Sequence, residues 1–263
     1  MRFQAQFARL FTVLSPMETT TKTEGNTGLI DRMFKAGAHF AYSRTRRHPS
    51  VEHFIFGAKN QVEIFDLEKV SELLESATAF ARKLGEARKA ILFVGGKNEA
   101  REIVRIKAGT LGMPYVAGRW IGGTLTNFSE IKKRLNRLED LLSKRSSGEF
   151  EGKYTKRERL MFDREIVDLQ NTFGGIAAMK SLPGALFVVD SRREHIAIAE
   201  ANVMKIPVIA LMNSDCNFKD VAYPIVGNDS ARTSVTFFMD EISKAYTEGL
   251  ATEQVVPAEK AVA

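Results

Sequence analysis

Residues 90–97 read Ala-Ile-Leu-Phe-Val-Gly-Gly-Lys, an unbroken apolar run that ends in a glycine pair. A continuous apolar run of this length predicts a parallel strand covered on both faces, because an antiparallel strand with one wet face alternates instead. Downstream, a helix is expected over about 98–111, closed by Gly112 and Met113-Pro114, and Tyr115-Val116-Ala117 is a short strand. The same alternation returns later in the chain. Ala185 to Asp190 is a strand, 193–204 a helix, Pro207 to Met212 a strand, Tyr223 to Gly227 a strand, and about 230–247 a last helix. Strands alternating with helices in this way predict a doubly wound α/β fold, a parallel sheet with helices on both faces.

Upstream, residues 27–37 predict a short helix with Leu29, Ile30, Met33 and Phe34 on one side and Gly37 at its end. Residues 39–53 read as a loop. Phe54 to Phe56 and Val62 to Phe65 are strand-like, with Gly57 to Asn60 as the turn between them. Leu67, Val70, Leu73, Leu74, Ala77 and Phe80 then recur at helical spacing over about 67–85.

The alternation is interrupted once, by residues 127–175. There Ile131, Leu135, Leu138 and Leu142 form one helical stripe, and Leu160, Phe162, Ile166, Leu169 and Phe173 supply a second. Asn127 with Glu130, and Thr155 with Glu158, have capping-box spacing. The polar stretch SSGEFEGKY reads as the turn between the two helices, and Gly174-Gly175 as the return to the sheet. Two apolar stripes on successive helices predict an inserted antiparallel coiled hairpin. The organisation expected is a flexible extension over 1–26, one α/β domain made of 27–126 and 176–249, the hairpin over 127–175, and a flexible tail over 250–263.

At 44% hydrophobic and 27% charged, the 263 residues have the composition of an ordinary soluble globular chain that can bury a real core. No apolar stretch is long enough to span a bilayer. The N-terminal stretch MRFQAQFARLFTVLSPM is broken by Gln4, Gln6 and Arg9 and reads as an extension, not a signal peptide, with Met17 as a second candidate start. The single cysteine, Cys216, excludes an internal disulfide and a cysteine-rich zinc site, and fits a reducing cytoplasm. Charge is uneven: residues 1–127 carry 19 Lys and Arg against 12 Asp and Glu, while residues 173–263 carry 8 against 11. A basic N-terminal half points to a polyanionic partner, although a solvated mixed-charge surface is the plainer alternative.

Four segments bear on chemistry. Arg44, Arg46, Arg47 and His48 follow Phe40 and Tyr42 within a few residues. Guanidiniums fork onto phosphates and aromatic rings stack on bases, so the cluster suits single-stranded RNA, or is simply an exposed basic loop. The run GRWIGGTLTNF over 118–128 places the only tryptophan, Trp120, beside Arg119 and ahead of Gly122-Gly123, which suits either close approach to a phosphate chain or a tight turn with a buried ring. Gly95-Gly96-Lys97 at a strand end resembles a phosphate loop, but it is neither G-x-x-x-x-G-K-[ST] nor G-x-G-x-x-G and reads as a tight turn between strand and helix. Asp190 and Asp215 would stand on one rim. Together they are candidates for a structural magnesium ion, and Asp190 alone is equally a cap of the following helix. No nucleophile is paired with a base, and His39, His48, His53 and His195 have no metal-ligand spacing. An enzyme or sensor that binds a nucleotide on such a sheet is the alternative these residues leave open.

In order, AGAHF at 36–40, TRRHPSVEHFIFGAKN at 45–60, DLEKV at 66–70, ILFVGGK at 91–97, MPYVAGRWIGGTLTNF at 113–128, GGIAAMKSLP at 174–183, FVVDSRREHIAIAEA at 187–201, IPVIAL at 206–211 and YPIVGND at 223–229 resemble the bacterial small-subunit ribosomal protein S-two family. The resemblance covers about residues 27–249. It implies a flavodoxin-like fold with a five-stranded parallel sheet and an inserted coiled hairpin, and no enzymatic role. It also implies a ribosome-bound place in the cytoplasm, late entry into subunit assembly, contact with small-subunit rRNA and neighbouring proteins, and help in holding the large mRNA-binding protein of that subunit. No membrane, small-molecule substrate or cofactor is implied. The RNA-contacting residues expected are Tyr42, Arg44, Arg46, Arg47, His48, Lys97, Arg119 and Trp120. The chain departs from the family pattern at Ala41-Tyr42, where Gly-His is common, and at Arg47-His48-Pro49, where Trp-Asn-Pro is common. A tyrosine still stacks and an arginine still binds phosphate.

Overall fold

A computed structural model describes residues 20–252 of the chain. Its centre is a five-stranded, all-parallel sheet formed by β4 (Ile91–Val94), β5 (Tyr115–Val116), β6 (Ala185–Val189), β7 (Val208–Met212) and β8 (Tyr223–Val226), in the order β5-β4-β6-β7-β8. Every residue of β4, β6 and β7 is buried, as their unbroken apolar sequences require.

Alternate side chains of these strands feed two cores. On one face Ile91, Phe93, Phe187, Val189, Ile209 and Leu211 pack under α2 (Leu67–Glu86), α3 (Asn98–Thr110) and α8 (Arg232–Thr252). On the other face Leu92, Val94, Leu186, Val188, Val208 and Ala210 pack against α7 (His195–Val203), Trp120 and the base of the insertion. Truncating a wholly buried residue such as Leu186 to alanine is expected to cost about 2–5 kcal/mol. Helices α2 and α8 approach most closely at Gly85 and Gly249, where a Cβ on either would strike the opposing backbone.

The chain enters through α1 (Thr20–Lys35), which starts inside the stretch expected to be a flexible lead; residues 1–19 and 253–263 lie outside the described residues. Met33 is buried and Leu29 and Ile30 half-buried as expected, but Phe34 is 60% exposed, stacked only on His39. The expected loop over 39–53 is instead β1 (Phe40–Ser43) followed by two 3-10 turns, Arg44–Arg46 and Pro49–Phe54. Strand β1 joins β2 (Ile55–Lys59) and β3 (Val62–Phe65) in a small antiparallel sheet of order β1-β3-β2. The hairpin turn falls at Asn60-Gln61, both at positive φ (52° and 65°), not at 57–60. Two left-handed residues in succession match the twist of a tight hairpin, and Gly57-Ala58-Lys59 then stay in the ladder.

The insertion is helical, comprising α4 (Phe128–Ser146), α5 (Glu149–Lys153) and α6 (Lys156–Phe173). Helices α4 and α6 run in opposite directions, because Arg137 pairs with Glu165 and Arg145, further along α4, with Asp163. The apolar stripe of α4 is Ile131, Leu135, Leu138 and Leu141; Leu142 is 37% exposed, one position off the seam. On α6, Leu160 likewise faces outward, while Ile166 and Phe173 are buried. The expected turn contains α5, because Phe150 buries its ring against Tyr154 and Phe162 and so draws its neighbours into a helical turn. The Thr155–Glu158 capping box forms in full, but Asn127 makes no side-chain cap; its Oδ1 accepts from Ser129 Oγ instead. Ile131, Leu135 and Phe173 belong to the core of the sheet, whereas Leu138, Leu141, Phe150 and Ile166 form a small core of their own.

Candidate nucleic-acid interface

The order β5-β4-β6 places the loops after β4 and β6 on either side of the point where strand order reverses, the usual ligand crevice of such sheets. Here the strand-end amide at that crevice is already taken. The Gly96 amide donates to Glu194 Oε1 at 3.1 Å, so a carboxylate occupies the position a phosphate would take. A Cβ at position 96 would also collide with the Gly118 carbonyl, which is why glycine is needed there. Burial pushes the Glu194 carboxyl above its ordinary range, and the hydrogen bond from Gly96 opposes that only in part.

Lys97 lies beside this plug, and its ammonium is turned inward. Nζ donates to Asp229 Oδ2 at 2.9 Å, to Tyr42 Oη at 3.0 Å and to Ser230 Oγ at 3.1 Å, and stands 3.4 Å from Asp190 Oδ2. Burial pulls its pKa down, but Asp229 and the hydrogen bonds outweigh burial and the net shift is upward. Lys97 therefore ties the ends of β4, β6 and β8 to β1 as a permanent cation. Tyr42 shares the cluster: its hydroxyl lies 2.8 Å from Ser230 Oγ and its ring carries the Arg46 guanidinium 4.3 Å from the centroid.

Asp190 sits at positive φ (70°) and its Oδ1 accepts from the Arg193 amide at 3.1 Å, closing the turn ahead of α7; the N-cap of that helix is Glu194 and has no side-chain cap, so the expected capping by Asp190 does not form. Burial is the main cause that raises its pKa, followed by the Asp229 charge. Asp215, the other magnesium candidate, is held by Arg192 at 3.0 Å and Arg46 at 3.5 Å. Each carboxylate thus already faces a protein cation. Among the described residues no three His, Cys, Asp or Glu are grouped to hold a metal ion.

The Arg-Trp run has a different fate from the one expected of a contact loop. Trp120 is 5% exposed and its Nε1 donates to Glu200 Oε1 at 3.1 Å. The rest of the loop closes on the same carboxylate, through the Gly123 amide at 2.8 Å, the Leu125 amide at 2.9 Å, and the Thr126 amide and hydroxyl, both at 3.2 Å. Gly123, at φ 91°, lets the backbone turn inward. Burial pulls the Glu200 carboxyl upward, but these donors outweigh it and its pKa is lowered. Trp120 is therefore core, and its indole is not presented to a base. Sequence reading missed Glu200. Its signal was a lone charge on the inner side of Ile196 to Val203, flanked by buried Ala197, Ile198 and Ala201.

The basic loop also divides. Arg47 is turned back to Glu63 at 3.1 Å and Glu52 at 2.9 Å, and His48 caps the turn after it by accepting from the Ser50 amide at 3.2 Å. Arg44 is exposed with no partner among the described residues, and Arg46 remains half exposed over Tyr42. Arg119 is exposed and unpartnered as well. The structure adds Arg101, Arg192 and Arg193 to this edge. Arg192 and Arg46 share Asp215, and Arg193 shares a cavity with Arg101 and Arg119. Of the residues expected to touch RNA, Arg44, Arg46 and Arg119 face outward, Tyr42, Arg47, His48 and Lys97 are committed to internal partners, and Trp120 is buried.

Fold and edge together define an α/β protein whose strand-end amide at Gly96 is taken by a carboxylate, with an inserted helical arm and an arginine-rich rim. The family Ribosomal protein S2 matches residues 33–249, and the chain belongs to it. The chain is 40% identical over 232 residues to the small ribosomal subunit protein uS2 of Mycolicibacterium vanbaalenii, covering 88% of this chain and 85% of that one. It is 41% identical over 219 residues to the uS2 protein of Mycobacteroides abscessus (83% of this chain, 79% of that one), and 39% identical over 231 residues to that of Salinibacter ruber (88% and 72%). The family is structural and non-enzymatic. No helix among the described residues is long and apolar enough to cross a membrane.

Proposed function

We propose that the chain is a structural constituent of the small subunit of the cytoplasmic ribosome, that it binds small-subunit rRNA through its arginine rim, and that it helps anchor the large mRNA-binding protein of that subunit. One observation carries the RNA contact: Arg44, Arg46 and Arg119 project from one edge, and Arg44 and Arg119 have no counter-charge among the described residues. Unpaired guanidiniums on a rigid edge are preorganised for phosphate, since no ion pair has to be broken first. Relatives named as small ribosomal subunit proteins support the subunit.

The test is sedimentation of cell lysate through a sucrose gradient with the chain followed by mass spectrometry, with and without ribonuclease. The expected result is co-migration with small subunits and whole ribosomes that is lost on ribonuclease treatment. A chain that stays at the top of both gradients overturns the reading.

A further inference from the structure

Above the Gly96–Glu194 contact lies a cavity of about 290 Å³ bordered by Gly96, Gly118, Arg101, Arg119, Arg193 and Glu194. Three guanidiniums converge here. Arg119 makes no side-chain hydrogen bond or ion pair among the described residues, Arg193 acts only through its charge on the neighbouring Glu194, and Arg101 reaches only the Gly96 carbonyl, at 3.5 Å. The one carboxylate on the wall, Glu194, is 5% exposed and held by the Gly96 amide. Trp120 and Ile196 complete the lining, and the space where a Cβ of residue 118 would point is open. Three arginines against one buried carboxylate leave the cavity with an excess of positive charge, which a bound anion would offset.

A second cavity of about 510 Å³ shares Arg101 and Arg119 with the first and extends to Tyr115, Gln170 and Asn171 at the foot of α6. Tyr115 is half-buried, with its ring backed by the Gly175 backbone. The Tyr115 hydroxyl and the two side-chain amides make no hydrogen bond among the described residues. Glu102, the acid in this cavity, is paired with Arg105 at 3.1 Å. The space is of the size that holds small ligands, and it offers one aromatic ring and two amides that both donate and accept.

We infer that the two cavities form one seat for a single unpaired RNA nucleotide, with its phosphate among Arg101, Arg119 and Arg193 and its base against Tyr115 within reach of Gln170 and Asn171. The inference rests on the RNA-binding reading and makes it specific: the rim takes a splayed-out nucleotide in addition to a charged backbone. Unpaired bases are read by such stacking and edge contacts, whereas a base held in a duplex cannot enter.

The test is fluorescence anisotropy of labelled single-stranded RNA hexamers of mixed sequence, and of the same strands in duplex, titrated with the full chain at graded salt. Single strands are expected to bind more tightly than duplex. Arg101→Ala and Arg193→Ala should each weaken single-strand binding about tenfold and each reduce the salt slope by about 0.7. Gln170→Ala and Asn171→Ala, both at exposed positions and so compatible with an intact fold, should weaken single-strand binding several-fold with the slope and duplex binding unchanged. If the amide variants bind single strands as the wild type does, or the arginine variants weaken single strands and duplex equally, the rim is a plain charged surface. The seat is then wrong while the RNA-binding reading stands. If the wild type binds neither RNA, both fall.

Discussion

Two arginine-bearing segments, 44–48 and 118–128, carry the same kinds of side chain and end in opposite situations. Each sets arginine beside an aromatic ring, Tyr42 just ahead of the first and Trp120 within the second, and both stand at the carboxyl edge of the parallel sheet. Around Trp120 a buried acceptor, Glu200, gathers one indole, three amides and a hydroxyl, and the segment becomes part of the frame. Around Arg44 no acceptor is present, and the side chain stays outside. The difference lies in where the counter-charge is, not in the composition of the loop. A carboxylate contributed from 80 residues away in the chain decides that Trp120 is structural.

The contrast breaks most visibly at Glu200. Glu200→Ala leaves several buried donors without an acceptor, and each orphan costs about 1–3 kcal/mol, so a loss of about 3–5 kcal/mol is expected in urea unfolding. Stability within 1 kcal/mol of wild type would show that the loop is held by apolar packing alone.

Trp120→Phe keeps the ring and removes one donor, and should cost about 1–2 kcal/mol while leaving RNA binding intact. Unfolding curves paired with an RNA titration check both halves of that statement.

Two carboxylates of α7, Glu194 at its N-cap and Glu200 within it, sharpen the comparison through pH. The Glu200 pKa is lowered in the fold, so its contribution is present above the ordinary carboxylate range and is lost as pH falls through the lowered value. The Glu194 pKa is raised, so its contribution is present below the ordinary carboxylate range and is lost as pH rises through the raised value. Unfolding free energy measured from pH 3 to pH 8 should therefore change slope in opposite senses on Glu200→Gln and Glu194→Gln. Slopes that move together would contradict the assigned environments.

The smallest effect on stability is expected from Arg44→Ala with Arg46→Ala. Arg44 touches no partner among the described residues, and Asp215 retains Arg192 when Arg46 is gone, so the pair should shift stability by no more than about 0.5–1 kcal/mol. A larger loss would mean that the rim is part of the frame after all.

The fold was legible where one periodicity dominated. The apolar runs 91–94, 185–189 and 208–212 mark parallel strands because nothing else buries both faces of so short a segment. Leu141 and Leu142 are adjacent, and a stripe of period 3.6 admits either, so the seam of α4 depended on α6, which the local sequence does not contain. Helix α5 was hidden because one aromatic residue, Phe150, forms it by packing within a polar stretch. At the rim the residue types were legible but their direction was not. Lys97, Arg47 and Arg44 are alike in sequence, and partners the local pattern does not reveal, Asp229 for Lys97 and Glu63 for Arg47 among them, turn the first two inward.

The central claim is that the outer arginines meet RNA while Trp120 and the loop that closes with it on Glu200 are scaffold. Filter binding of small-subunit rRNA by the wild type, Arg44→Ala/Arg46→Ala and Trp120→Phe, each over a series of salt concentrations, tests it most directly. The salt slope should fall by about 2 for the arginine pair and stay at the wild-type value for Trp120→Phe. A folded Trp120→Phe protein that loses RNA affinity, beside an arginine pair with an unchanged slope, would contradict the claim.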